Sequence, residues 1–389
     1  MSLSCRLGFT HIPRRLWAGG FNYQKNLFAA LNKYFPGEFS PVVFAGNDAE
    51  PGELSELAAV TGVSIVQRSN FDRQQLGLAQ ALLIGLDVGA AKAFAAQEID
   101  VIIENARFFG WRLPIPSIAW FPDIQHRRLP DLFTRGAWWK REIGFKVQIS
   151  SGRWIMLSSL SAQKDCRTFY PAMKGRSSVV RFATEPPSQF LDVDPRPIIA
   201  KYNLEPGFLY LPNQFWRHKN QQIVVDALAI LADRGIEAVV AASGSREGLR
   251  EQGYFEGVMH QVEARGLDRS FRYLGMIPLV DVYALLRTSA SLINPSRFEG
   301  WSTTVEEAKS FGVPMLLSDI DVHREQTANK ADYFGVDDPV ALADHIEKVV
   351  QKRETLVVRD LQENLDQRVH DFAAAFADTV RRAISDYRR

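Results

Sequence analysis

The chain has 389 residues and a mass of 43.9 kDa, enough for two domains that each bury a core. With 46% hydrophobic and 23% charged residues it sits near the globular average, which excludes wholesale disorder. The net charge of +1 gives no global reason to expect a nucleic-acid partner, and two cysteines exclude a disulfide framework or a four-cysteine zinc site and favour a reduced, cytoplasmic setting.

No apolar run reaches the roughly 18 residues that span a bilayer. The richest, Ala79 to Ala96, is interrupted by Gln80, Asp87 and Lys92. Arg6 stands where a signal peptide needs apolar residues, so no export signal is read.

Short β-rich runs alternate with helical runs, which predicts parallel sheets with crossover helices. In the first half the predicted strands are Cys5–Thr10, Pro41–Gly46, Ser64–Gln67, Asp100–Glu104, Ser117–Phe121, Trp154–Ser158 and Ser177–Phe182. Helices are predicted at Phe21–Tyr34, Arg73–Phe94 and Ser161–Tyr170. Ala183 to Gly207 carries five prolines without periodicity and reads as a linker. Strands resume at Phe208–Leu211, Ala238–Ala242, Phe271–Leu274, Ala290–Asn294 and Pro314–Ser318. Phe372, Phe376, Val380 and Ile384 fall at helical spacing, so the tail is expected to end as a helix. The expected fold is α/β: two doubly wound Rossmann-like domains facing across a cleft, with ligands beyond the carboxyl ends of the strands. The boundaries are 1–185 for the first domain, 186–206 for the linker and 207–370 for the second domain. The last helix, 371–389, has the option of returning to the first domain.

The most informative segment is NPSRFEGWSTTVEEAKSFGVPMLLSD, Asn294 to Asp319. Thr303 and Glu306 have the spacing of a capping box, so a helix is expected to begin just after Thr303 and to stop at Gly312. That leaves Glu299 in the preceding loop and Glu307 just past the first turn. The N–H groups of Ser302, Thr303, Thr304 and Val305 would then point out of the helix start, where a diphosphate binds well. An ionised carboxylate only accepts hydrogen bonds and has room for both hydroxyls of a ribose, and a second carboxylate suits a sugar. Two carboxylates flanking an anion hole fit a nucleotide diphosphate sugar.

The combination P-S-x-x-E-G-x6-E-A-x3-G-x-P, from Pro295 to Pro314, resembles the donor-site signature of retaining glycosyltransferase family 4, the group 1 glycosyl transferases with the GT-B fold. The resemblance implies that Glu299 lies by the donor sugar, that Glu307 holds the ribose, and that backbone around Gly300, Ser302, Thr303 and Thr304 holds the diphosphate. It also implies an arginine and, five or six residues on, a lysine at the diphosphate. Lys219 matches the lysine, whereas Asn213 or Gln214 stands at the arginine position and Arg217 is the candidate replacement. Ser243 and Gly244 match a small-residue turn near the phosphates. Gly275, Met276 and Ile277 match a stretch whose backbone reads the base.

In the first domain, Gly19, Gly20 and Asn22 resemble a loop that meets the donor phosphate or the acceptor. Among Trp120 to His126, His126 is the candidate beside the donor sugar and Asp123 the alternative. Residues 127–146 combine basic side chains with Trp138 and Trp139, which suits an anionic membrane surface. Asp192-Val193-Asp194 resembles a metal-binding DXD but lies in the linker stretch, so no metal is expected there. The reaction implied is retaining, metal-independent transfer of a hexose from a nucleotide diphosphate sugar, a co-substrate, with no further cofactor. The acceptor would be a glycan or lipid-linked glycan of a bacterial surface polysaccharide (O-antigen, capsule or exopolysaccharide), on the cytoplasmic side of the membrane. The alternatives are a nucleotide-sugar epimerase of the same fold and a non-catalytic nucleotide-sugar-binding protein.

Overall fold

The computed structural model describes residues 4–72, 76–105, 107–173, 175–246, 253–352 and 355–388. The chain divides into two units, Met1–Ala183 with Asp366–Arg389, and Thr184–Leu365.

The first unit is built on β1 (Cys5–Thr10), β2 (Phe39–Ala45), β3 (Ser64–Gln67), β4 (Val101–Asn105), β5 (Ser117–Phe121), β6 (Trp154–Leu157) and β7 (Ser177–Val179). Their order is β3-β2-β1-β4-β5-β6-β7, and every neighbouring pair is parallel. Helices cover both faces of such a sheet, so the central strands are apolar throughout. All of β5, SIAWF, is buried. The helix Leu365–Tyr387 packs against this unit: Phe376 stacks on Phe9 at 6.1 Å, and Phe372 meets Tyr23 at 5.4 Å and Phe182 at 5.5 Å. Phe372, Phe376 and Val380 form its buried stripe, while Ile384 is half-buried at its edge.

The second unit is built on β8 (Leu209–Leu211), β9 (Val240–Ala242), β10 (Phe271–Tyr273), β11 (Ser291–Asn294), β12 (Met315–Ser318) and β13 (Asp332–Phe334). These run β10-β9-β8-β11-β12-β13, again all parallel. One face packs on Val224, Leu228 and Leu342, and the other on Leu285, Val305 and Phe311.

Three elements differ from the sequence reading. The helix expected over Arg73–Phe94 is two helices, Leu76–Leu83 and Val88–Ala96, bent by 105°; residues 73–75 lie outside the described residues. The break falls where Asp87 turns its side chain to accept from Ala90 N–H at 3.0 Å and so starts a new helix. The expected linker is folded into the second unit. Pro195 caps and Pro197 opens the short helix Arg196–Lys201, a position where proline's missing N–H costs nothing. Ile199 and Leu204 are buried in the core. Finally, β13 has no counterpart among the predicted strands. It has three residues, of which only Phe334 is fully buried, so it presents no apolar run.

The order of each sheet reverses once, between β1 and β4 and between β8 and β11. Loops leave those neighbours in opposite directions and open a crevice beyond their carboxyl ends. Below the first reversal Glu104 and Arg153 form a buried two-point pair, 3.1 Å at each contact, with Arg153 Nη2 also donating to Gly110 O at 2.7 Å. Removing one partner of such a pair strands a buried charge. Arg153→Met is expected to destabilise the protein by about 3–5 kcal/mol in urea titration. Adding Glu104→Leu should recover most of that loss, and failure to recover would show that packing, not the stranded charge, dominates.

Candidate functional site

The crevice between β8 and β11 gathers most of the predicted donor-side residues. At its floor lies Asn294, the last residue of β11, fully buried. Its Oδ1 accepts from Asn213 Nδ2 at 3.3 Å and lies 2.7 Å from Ser296 Oγ. Its Nδ2 donates to Ser302 Oγ at 2.9 Å and to Thr304 Oγ1 at 3.3 Å. One amide thus ties the loop after β8 to the start of the helix Thr303–Ser310. Asn213, one of the two residues at the position where an arginine was expected, supplies a buried amide instead of a charge.

Lys219 ends the turn Arg217–Lys219, and its Nζ lies 2.5 Å from Glu299 Oε1. Ser296 Oγ stands 2.7 Å from the same carboxylate oxygen. Burial works to raise the Glu299 carboxyl, but Lys219, His218 and His323 outweigh it and hold it below the usual carboxylate range. Glu299 therefore stays ionised and Lys219 has a fixed counter-charge. Behind them His323, fully buried, sets Nδ1 2.9 Å from Ser318 O, and burial lowers its proton affinity. Ser318 Oγ in turn donates to Ser296 O at 2.5 Å. The sequence reading missed His323 and Ser318; their only signal was their place just after β12.

The capping box is not formed. The helix begins at Thr303 with Ser302 as its cap residue, and the Ser302 side chain makes no cap bond because it faces Asn294. Gln326, from a neighbouring helix, does the capping: its Oε1 accepts Ser302 N–H at 3.2 Å and its Nε2 donates to Ser302 O at 2.7 Å. Glu306 bonds Gln326 and Lys309. Glu307 has no hydrogen bond or ion pair among the described residues, and burial pushes its carboxyl up to about 8. It is half-buried, so its oxygens remain reachable. Two carboxyls eight residues apart thus differ in protonation because one has a cation and the other has none.

The turns after β9 and β10 complete the rim. Gly244 has φ +146 and passes so close to the β8 loop that a Cβ would stand 2.4 Å from Asn213 O. Its N–H donates to Gly275 O at 3.0 Å, and Ser243 Oγ meets Tyr210 OH at 2.7 Å. Gly275, at φ +78, turns the chain so that Met276 is 71% exposed beside half-exposed Ile277. Arg217 is exposed on its turn and Gly300 is half-buried.

In the first unit the residues divide differently. Gly19, Gly20 and Asn22 are not in a loop but in the first turns of the helix Ala18–Tyr34. Gly20 is small because Trp17 covers it: a Cβ would stand 2.3 Å from the indole. The Asn22 carbonyl is taken by Asn26 Nδ2 at 2.8 Å. His126 is a correction as well. It is fully buried, with Nε2 3.2 Å from Glu142 Oε2 and 3.1 Å from Tyr170 OH, and rings of Trp138 and Phe145 pack on it. Burial, with Arg141 adding to it, lowers its proton affinity. It is a core residue and offers no imidazole to a ligand. Asp123 pairs with Arg141 and accepts from Gln125 N–H at 2.9 Å.

The basic stretch 127–146 is largely satisfied internally. Arg127 and Lys146 pair with Glu142, and Arg128 pairs with Asp165. Burial opposes ionisation of Glu142, but Arg127, Tyr170, Lys146 and His126 together hold its carboxyl down at about 2. A cavity of about 170 Å³ lies at the β1–β4 reversal, lined by Thr10, His11, Asp48, Glu50, Asn105 and Arg107 among others. Asn105 Oδ1 is buried in it without a hydrogen-bond partner among the described residues.

Residues 197–368 match the sequence pattern of the family described as glycosyl transferases group 1. No curated protein matches the chain by sequence. Among solved structures, a glycosyltransferase from Rickettsia africae is similar at 14% identity and TM-score 0.65, covering 99% of this chain and 98% of that one. HepE of Anabaena, solved with UDP and glucose, is similar at 16% identity and TM-score 0.65, covering 99% and 97%. WaaG, a glycosyltransferase involved in lipopolysaccharide biosynthesis, is similar at 13% identity and TM-score 0.60, covering 97% and 98%. The chain has the GT-B fold, and its residues 197–368 are similar to the glycosyl transferases group 1 family.

Proposed function

We propose that the protein transfers a hexose from a nucleoside diphosphate sugar to an acceptor hydroxyl, with retention at the anomeric carbon and without a metal. What carries the reading is the pairing of Lys219 with Glu299 beside the start of the helix Thr303–Ser310, with the unpartnered Glu307 one turn further on. The diphosphate would lie at the N–H groups of Ser302, Thr303 and Thr304, next to Gly300, and draw Lys219 from Glu299. Glu307 would take the ribose hydroxyls. Gly275, Met276 and Ile277 would read the base, and Ser243, Gly244 and Arg217 would border the phosphates. The UDP held by HepE makes a uridine donor the first to try.

The bond from the anomeric carbon to phosphate oxygen breaks as the bond to the acceptor oxygen forms on the same face. The acceptor proton passes to the leaving phosphate, so no protein base is required. Negative charge grows on the diphosphate, and Lys219 and the helix start are fixed where it grows. The cavity at the β1–β4 reversal is the candidate acceptor pocket. A glycan hydroxyl there would satisfy the buried Asn105 Oδ1. The role in a surface polysaccharide, on the cytoplasmic face of a membrane, belongs to the same proposal. Contact through 127–146 would use its exposed face, Trp139, Lys140, Ile143 and Lys146.

A panel of nucleotide sugars in thermal shift, with wild type and Glu307→Ala side by side, tests donor binding, since a ligand of the native state raises its midpoint. One donor should shift the wild type and not the variant; no shift with any donor would overturn the reading. Lys219→Ala should lower kcat by roughly a hundred- to a thousandfold. A loss below tenfold would remove Lys219 from the transition state.

Glu307 also gives a pH signature. The ribose hydroxyls favour the ionised carboxyl, which the free protein reaches only above about 8. Donor affinity should therefore fall as pH drops below 8, by at most about tenfold per unit. Binding at pH 7 should release a proton, read as a buffer-dependent calorimetric enthalpy. Glu307→Gln should bind more weakly and without that proton release.

A further inference from the structure

The end of the helix Leu76–Leu83 and the turn that leads from it to the helix Val88–Ala96 expose three aliphatic side chains in a row. Leu82 is 43% exposed, Leu83 81% and Ile84 51%. On a packed helix or strand, consecutive residues point to different faces, so three exposed neighbours make a protrusion. Trp111, 49% exposed, lies flat against Gly85, where a Cβ would stand 2.6 Å from the indole. Arg112 fastens the base: its N–H donates to Gly85 O at 2.8 Å and its Nη1 to Ile84 O at 3.4 Å. The apolar tip is therefore held out by a fixed support.

Its charges have one sign. Residues 77–86 carry none, and residues 107–114 carry only Arg107 and Arg112. Asp87, at the base, is buried and paired with Arg107, which leaves Arg112 and the exposed Lys92 facing out. An apolar protrusion flanked by tryptophan and cations matches the acyl, interfacial and anionic headgroup layers of a membrane surface. A rigid protein face would cover only one side of a protrusion, whereas a bilayer deforms around all of it. The loop that supports the tip carries Arg107 and leads on from β4, whose last residue is Asn105; both side chains line the cavity at the β1–β4 reversal.

We infer that Leu82–Ile84 and Trp111 insert into an anionic lipid surface and present the mouth of that cavity to the bilayer, so that its occupant is the polar head of a lipid-linked acceptor. The choice of occupant rests on the transferase reading; the lipid contact does not.

The test is flotation of the full-length protein with phosphatidylethanolamine–phosphatidylglycerol vesicles, and with neutral phosphatidylcholine vesicles for comparison. Wild type should float with the anionic vesicles. Leu83→Asn with Ile84→Asn should lower the bound fraction by roughly tenfold or more. The thermal midpoint and its shift by UDP-glucose, read in the other unit, should stay unchanged and so report intact folding. Wild-type levels of flotation in this variant would overturn the inference. Loss confined to Trp139→Ser with Ile143→Ser would overturn it too, as would a wild-type dimer that the tip variant splits into monomers. Failure of every nucleotide sugar in the panel to bind, with flotation as expected, would sink the transferase reading and leave the lipid contact standing.

Discussion

An ammonium and a carboxylate 2.5 Å apart, both mostly out of water, have to be kept charged. Each alone would be driven toward its neutral form by burial. Together they persist because the surroundings are organised for them. Ser296 Oγ sits 2.7 Å from the carboxylate, and His218 and His323 add favourable potential. Asn294 fixes Ser296 and the helix start in one frame. That frame lies at the β8–β11 reversal, the place in its sheet where loops from adjacent strands part. The fold therefore places a cation in a low-dielectric crevice before any anion arrives, which is the condition under which such a charge does most.

The second consequence concerns Glu299 and Glu307. Seen as sequence they are equivalent acids on one motif. In the structure Lys219 stabilises the charge on the first, while the second has no cation and keeps its proton to about 8. Environments that push two carboxyls apart give them separate tasks. A permanently ionised group suits orientation of a cation or a sugar hydroxyl. A group that ionises on demand couples ligand binding to proton release.

The central strands were legible because parallel strands buried on both faces are continuous apolar runs; the edge strand β13 has none. Asp332-Tyr333-Phe334 is held by its neighbour β12, not by its own composition. The placement of Lys219 and Glu299 beside the start of the helix Thr303–Ser310, and of Glu307 one turn into it, was legible because spacing relative to a strand and a helix start is a local property. What failed depended on side-chain contacts that residue spacing does not reveal. Thr303 and Glu306 have capping-box spacing, yet Gln326 and Asn294 satisfy the same groups from elsewhere. Gly19-Gly20 reads as a ligand-facing loop until Trp17 is seen lying on Gly20. His126 follows a strand, as an active-site histidine would, but Glu142 and Tyr170 hold it inside.

The same limit explains why residues 127–146 looked more basic than the surface they make. A sequence counts charges and cannot pair them. Glu142 alone meets Arg127 and Lys146, Asp165 meets Arg128, and Asp123 meets Arg141. Those partners lie up to 37 residues away along the chain. Buried or half-buried pairs of this kind fix the helix Arg135–Ser150 in place and contribute little to a long-range field. An electrostatic argument about a partner therefore has to start from the cations left over after pairing. By that measure the helix face offers Lys140 and Arg135, which have no ion pair among the described residues. The segment Leu82–Ile84 offers something composition alone hides, an apolar surface left exposed among the described residues.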